Sequence, residues 1–161
     1  MNGRNTAAPP VPGAGLLHPV PLVAVAVLLV NDHVLKRALP GVLTGKLSDF
    51  AGLAFFPLVL QGACEVVLAA LRRPWRPSPR LLLHCTLLTG VVYALVKTWT
   101  PALDLWRAAL GALQWPMRAL VALALGRALP AMRAVAAARD PTDLVALPAL
   151  MLAWVAGRRR T

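Results

Sequence analysis

Acidic residues, histidines and cysteines are scarce in this chain. Six of its 161 residues are Asp or Glu, three are His and two are Cys. Cys64 and Cys85 belong to no CxxC or Cys/His zinc pattern, so we interpret them as small buried hydrophobic residues rather than as a disulfide or metal ligands. The sequence therefore predicts no metal site and no cofactor.

The shortage of acids leaves a large excess of positive charge. With 17 Lys and Arg residues, the formal net charge is +11. In a soluble protein this excess would suggest nucleic acid as the partner. Here the basic residues lie mostly between apolar runs, at residues 72–80 and 158–160, which is typical of the cytoplasmic loops of membrane proteins. We expect the lipid bilayer as the partner and no nucleic acid.

Long apolar runs are abundant. Hydrophobic residues make up 58% of the chain, against ~45–50% in ordinary soluble domains. Crossing a hydrocarbon core of ~30 Å takes ~20 apolar residues, and several stretches approach that length. No segment shows the alternating pattern of a β-barrel strand. The sequence therefore predicts an all-α fold, a polytopic transmembrane helical bundle with four or five membrane helices.

Five segments are candidates for these helices, at residues 20–39, 50–71, 81–99, 102–135 and 142–157. The fourth contains Asp104 and several arginines, so it either crosses the membrane or lies in the interface with its arginines reaching the headgroups. We expect a single transmembrane domain at residues 18–157, flanked by a disordered tail at 1–17 and a basic tail at 158–161. A four-span arrangement puts both termini in the cytoplasm.

The first apolar run ends in a polar cluster, NDHVLK. Asp32 and Lys36 are four residues apart, as are His33 and Arg37, so each pair lies on one helix face. Ionisable groups at that depth are costly unless they are paired or hydrated. The cluster, which begins at Asn31, either satisfies itself at the helix end or lines a polar cavity for a substrate, an ion or a proton, with His33 among its polar groups.

The next motif, TGKLSDFAGL, contains Lys46 and Asp49 just before the second predicted helix. Asp49 or Ser48 is expected to cap that helix. The alternative is that Lys46 and Asp49 face the same polar cavity as the end of the first helix.

The remaining candidates are the other acids. Glu65 is the acid placed deepest in an apolar run, and an acid at such a depth requires a partner, for which we expect Arg118. In the motif DPTDL, Asp140 is the expected N-cap of the last helix. Asp143 follows three residues later, where it either favours the helix dipole or faces a site.

These three motifs together resemble those of a group of small bacterial integral membrane proteins of uncharacterised function. A second similarity is to signal peptidase II, a four-helix membrane aspartic protease. Asp32 and Lys36 match the D-x-x-x-K of its first helix, Asp49 matches its G-x-V-x-D-F motif, and Asp143 matches the last residue of N-x-A-D, although the motifs follow a different order here. This resemblance implies a catalytic pair, Asp49 and Asp143, sharing a proton to activate water.

We predict a binding or translocation module for a small polar solute, an ion or a proton, in the bacterial inner membrane, with a homo-oligomer as an open alternative to the monomer. The polar groups of this module would be Asn31, Asp32, His33, Lys36, Lys46, Asp49, Glu65, Arg118 and Asp143. Two other functions stay open at this stage. One is a membrane-embedded aspartic hydrolase using Asp49 and Asp143, and the other is a structural membrane subunit.

Overall fold

Helices form the framework of the chain in its computed structural model, which describes residues 11–39, 41–74 and 76–158. No strand occurs in these ranges, so the predicted all-α class is confirmed. Most of the predicted N-terminal tail and residues 159–161 of the basic tail lie outside the described residues.

Helix α1 spans Pro19–Ala38, close to the predicted limits. His18 caps it, because the ring Nδ1 accepts a hydrogen bond from the Val20 amide at 3.2 Å, and Pro19 stands where its missing N–H is not needed. A short 3-10 turn, Ala14–Leu17, precedes it. Within α1 the backbone widens into one π-helical turn at Asn31–Leu35 before the helix ends.

Helix α2 spans Val42–Ala70 and is the longest in the described chain. It begins well before the predicted start at Phe50, so the prediction of a loop up to that residue was wrong. Gly45 lies inside this helix, where one glycine costs only ~1 kcal/mol, which the neighbouring helical hydrogen bonds and packing offset.

Helix α3 spans Pro79–Thr98, and helix α4 spans Thr100–Ala124. They are separated at Trp99, whose backbone is extended, and Pro101 stands in the first turn of α4. The predicted break between the third and fourth segments therefore occurs at Trp99, and the helix predicted to continue to residue 135 ends eleven residues earlier.

The last predicted helix is divided in two. A 3-10 segment, Pro141–Ala149, leads into helix α5, Leu150–Arg158. Pro148 lies near the junction, and its missing amide hydrogen removes one bond that a continuous α-helix would need.

Within the described ranges, three helices are long and apolar enough to cross a membrane, namely α1, α2 and α3. Helix α4 has sufficient length but carries Asp104, Arg107 and Arg118, and α5 alone is too short. Three of the predicted spans therefore have the expected length and composition, and a fourth and a fifth span stay predictions.

The helices group into two compact units, one up to Gly90 together with the chain from Val145 onwards, and the other at Val91–Leu144. The core of the first unit contains Leu58 of α2, Leu82 of α3, and Ala153 and Ala156 of α5. A Cβ atom added to Gly157 would lie 2.6 Å from Leu82 Cδ2. Small residues on α5 therefore allow the close helix approach on which packing in a membrane depends.

Candidate functional site

The π-helical turn of α1 contains most of the NDHVLK motif. Its wider hydrogen bonding is visible where the Lys36 amide bonds to the carbonyl of Asn31, five residues earlier. Such turns are rare, and they occur frequently at functional sites because the extra residue redirects the side chains around it. Here the turn faces the first part of α2.

Asn31 is fully buried, with 0% of its surface exposed. Its Nδ2 donates to the backbone oxygen of Thr44 at 2.6 Å and to Ser48 Oγ at 2.7 Å. A backbone carbonyl can only accept, so the bond to Thr44 fixes which end of the amide is nitrogen. Asn31 Oδ1 is then left buried, and no donor in the described chain bonds to it.

Ser48 continues the contact from Asn31 to the charged residues. Its Oγ donates to Asp32 Oδ1 at 3.0 Å, and Asp32 Oδ1 also lies 2.7 Å from Lys36 Nζ. The predicted pairing of Asp32 with Lys36 is therefore found, with side chains 46% and 42% exposed. We call Asn31, Asp32, Lys36, Thr44 and Ser48 the α1–α2 polar cluster.

Thr44 secures the connection between α1 and α2. Its Oγ1 donates to the carbonyl of Gly41 at 2.9 Å and lies 3.4 Å from that of Leu39. The buried Thr44 thus satisfies backbone oxygens at the helix junction, while its own carbonyl receives the amide of Asn31.

The predicted cap of α2 needs correction, and the other polar residues near this cluster have partners that the sequence did not indicate. Neither Ser48 nor Asp49 caps α2, because the helix begins at Val42 and both residues lie inside it. His33 is exposed and does not bond Arg37, since its Nδ1 lies 3.0 Å from the carbonyl of Leu29, one turn earlier. Lys46 and Asp49 are half-buried on α2, and each interacts with another group.

Glu65 is bound by two neutral donors of its own unit. Only 5% of its surface is exposed. Its Oε1 accepts from Gln61 Nε2 at 3.0 Å, one helical turn away, and its Oε2 accepts from the Gly13 amide at 2.9 Å. Gly13 has a left-handed backbone, with φ of 76°, and a Cβ atom on Gly62 would lie 3.3 Å from its Cα. Neither Gln61 nor Gly13 was identified from the sequence as a partner of Glu65.

Arg118, the expected partner of Glu65, belongs to the second unit. It is exposed on α4, and its Nη2 donates to Gln114 Oε1 at 2.8 Å, the pairing that their four-residue spacing indicates. Because both oxygens of Glu65 already accept hydrogen bonds, the acid is stabilised without a cation. The Glu65–Arg118 pair stays a prediction.

Asp143 also belongs to the second unit and has a strong partner there. Its Oδ2 lies 2.6 Å from Lys97 Nζ, with side chains 13% and 15% exposed, and Tyr93 Oη donates to its backbone oxygen at 2.9 Å. Asp140 begins the 3-10 segment as expected, because its Oδ1 accepts from the Thr142 amide at 2.9 Å. Sequence reasoning did not identify Lys97.

This ion pair weighs against the hydrolase. A pair of catalytic aspartates shares one proton between two carboxylates, whereas Asp143 presents an oxygen to the ammonium group of Lys97. The membership of Asp143 in a common pocket with Asp49 stays a prediction. Among the described residues, no group of three or more His, Cys, Asp or Glu side chains is arranged to hold a metal ion.

Comparison with protein-family models, with curated proteins and with solved structures finds no match to the chain. The resemblances to the small bacterial membrane proteins and to signal peptidase II therefore stay hypotheses carried by the motifs alone. What the geometry adds is that two of those motifs, NDHVLK and TGKLSDFAGL, bond to each other.

Proposed function

We propose that the chain is a small multi-pass protein of the bacterial inner membrane that binds a small monovalent cation at the α1–α2 polar cluster. Three helices with the length and composition of membrane spans support the location. The dense arginines between α2 and α3 support a cytoplasmic position for that loop.

The observation that carries the binding role is the unpaired acceptor of Asn31. A buried polar atom without a partner costs about 1–3 kcal/mol, and each such atom in a folded protein calls for an explanation. The two N–H groups of Asn31 are bound to α2, so rotating the amide would not relieve Oδ1 without breaking the bond to Thr44. A bound monovalent cation relieves it.

The surroundings of Asn31 Oδ1 define the size and charge of what binds. The atom is buried between two packed helices, so the species must be about as small as a water molecule or a monovalent ion. Ser48 Oγ and the Asp32 carboxylate supply further oxygen acceptors on the same two helices. Lys36 neutralises Asp32, which favours a monovalent species over a divalent one.

The test is cation-dependent stability of the purified full-length protein. Its unfolding temperature is measured in choline chloride and in NaCl, KCl and NH4Cl at one ionic strength. We expect one cation to raise the Tm saturably, because a ligand that binds only the folded state stabilises it by about 2.7 kcal/mol at one hundred times its Kd.

Two matched variants separate binding from general charge effects. Asp32→Asn preserves shape but removes the charge, and it should abolish the cation-dependent rise. Asp104→Asn disrupts a comparable exposed pair with Arg107, 3.6 Å apart on α4, and should preserve the rise. Equal Tm values in all four salts for the wild type, or an undiminished rise in Asp32→Asn, would overturn the proposal and leave the polar cluster as a structural contact between helices.

A further inference from the structure

Helix α4 is amphipathic, and its apolar face is exposed. Five apolar side chains share this face, at successive spacings of eight, four, three and three residues. Each is more than half exposed: Leu105, Leu113, Met117, Leu120 and Leu123. A helix with such a stripe normally buries it against another surface.

The opposite face of α4 is covered by the chain that follows it, residues 127–140, which we call the return segment. The Val135 amide donates to the carbonyl of Arg107 at 3.0 Å, and Arg107 Nε donates to the carbonyl of Val135 at 3.0 Å. Trp115 Nε1 donates to the carbonyl of Pro130 at 2.8 Å. At Gly111 the backbones touch, since a Cβ atom there would collide with the carbonyl of Arg133.

The backbone of the return segment has few internal hydrogen bonds. Within residues 128–139, all of which are described, Val135 is the one residue whose amide hydrogen bonds to another part of the described chain. Most of these residues are exposed. Exposed backbone groups without partners are not tolerated in a hydrocarbon core, so the return segment lies where water or headgroups can bond to it.

The return segment is bonded to α4 from Arg107 to Trp115, which is about 12 Å of helix axis. This part of α4 must therefore lie at the same depth in the membrane as the return segment. A helix crossing the bilayer would carry this unbonded backbone into the core. Helix α4 has an exposed apolar stripe on one face and a polar backbone bonded to its opposite face. Only a position at the membrane surface places the stripe in lipid and the polar backbone near water.

We infer that α4 lies in the plane of the membrane, with its apolar face in the acyl boundary and the return segment at anionic phospholipid headgroups. The headgroup contacts are assigned to Arg127 and Arg133, because both are exposed and neither guanidinium group bonds to another described residue. Arg139 is less suited, since its Nη1 donates to Thr100 Oγ1 at 3.2 Å. Long arginine side chains reach phosphates from the rim of a buried apolar face.

Depth measurements in nanodiscs test the orientation of α4. Single spin labels are attached to cysteines introduced at Leu105, Leu113 and Leu120 of the full-length chain, after Cys64 and Cys85 have been replaced by Ala. We expect all three labels to lie at one shallow depth. A crossing helix would separate Leu105 from Leu120 by about 22 Å along its axis, which would overturn the inference.

Labels at Leu83 and Leu95 of α3 provide the control, because that helix has the composition of a membrane span and both side chains are exposed. These two labels should differ in depth by up to about 18 Å. If the α4 labels instead show dipolar broadening between molecules and exclude lipid, a second copy covers the face and the inference fails.

The headgroup assignment is tested separately with spin-labelled phosphatidylglycerol and phosphatidylcholine. The wild type should restrict phosphatidylglycerol in preference to phosphatidylcholine. In the double variant Arg127→Gln/Arg133→Gln, the ratio of phosphatidylglycerol binding to phosphatidylcholine binding should fall. Each removed arginine should lower this ratio by up to about fivefold. An unchanged preference would refute the assignment of these arginines.

Discussion

At the scale of single residues, Asn31 is central to the contact between α1 and α2 and to the proposed binding site. It uses both donors to hold α2 and keeps one acceptor unpaired. An amide side chain exposed to water can be substituted at little cost in stability. In a buried interface, each lost hydrogen bond leaves a polar partner unsatisfied. The contact with α2 and the proposed binding of a cation therefore depend on different atoms of one side chain.

Replacing Asn31 by Leu should destabilise the protein by roughly 1–3 kcal/mol, because the carbonyl of Thr44 and the hydroxyl of Ser48 both lose a buried donor. Thermal or denaturant unfolding of the purified protein measures this. The comparison variant is Gln114→Leu, which removes an exposed partner of Arg118 and should change the stability by no more than about 0.5 kcal/mol. Equal stability of Asn31→Leu and wild type would show that the polar cluster does not hold α1 to α2.

At the scale of elements, the contact between α4 and the return segment depends on the absence of a side chain. Gly111 is buried against the backbone of Arg133 and Ala134. Helix propensity alone favours alanine over glycine by ~1 kcal/mol. The steric contact opposes that preference, and the outcome of a substitution shows which effect is larger.

Two glycine substitutions separate these effects. Gly111→Ala should push the return segment away from α4, so the amide of Val135 should exchange its hydrogen faster. Gly45→Ala in α2 meets nothing within 4 Å and should raise stability by up to about 1 kcal/mol. Hydrogen exchange and thermal unfolding of both variants measure the difference. Slow exchange at Val135 in Gly111→Ala would contradict the close approach.

Elements also show which contacts the sequence could predict. Pairs four residues apart follow from helix geometry alone, as for Asp32 with Lys36 and Gln114 with Arg118. The decisive partners lie far along the chain, because folding rather than local spacing joins them. They are Thr44 for Asn31, Gly13 for Glu65 and Lys97 for Asp143, at separations of 13, 52 and 46 residues.

The start of α2 shows a different limit. Ser, Asp and Gly are typical of helix caps and turns, so Ser48 and Asp49 were assigned to a boundary. In the structure they lie within a helix and bond across to α1 or interact elsewhere. Cap-forming residues inside a membrane-type helix therefore indicate contacts between helices as readily as they indicate an end.

At the scale of the whole molecule, the 3-10 segment increases the length that the last predicted span can reach. Sixteen residues of α-helix reach only ~24 Å. A 3-10 helix rises ~2.0 Å per residue, so Pro141–Ala149 and Leu150–Arg158 together extend up to about 32 Å. That length matches a hydrocarbon core of ~30 Å. If α4 lies in the interface, as we infer, we expect this segment to be the fourth of four spans.

Cysteine accessibility in intact cells tests this topology. Single cysteines at Thr100, Ala128 and Pro141 should all react with an impermeant thiol reagent, because an in-plane α4 keeps them on the outer side. A cysteine at Ser78, in the arginine-rich loop, should not react until the cells are opened. Protection of Ala128 together with labelling of Thr100 would mean that α4 crosses the membrane.

The bond between Glu65 and Gly13 has a consequence for the order in which the protein is made. Its two residues are 52 positions apart, and ribosomes add about 5–20 residues per second. Roughly 3–10 s therefore pass between the synthesis of Gly13, in the turn ahead of α1, and the synthesis of Glu65, its hydrogen-bond acceptor. During that interval α1 can enter the membrane, while the segment preceding it gains its final anchor only once α2 has followed.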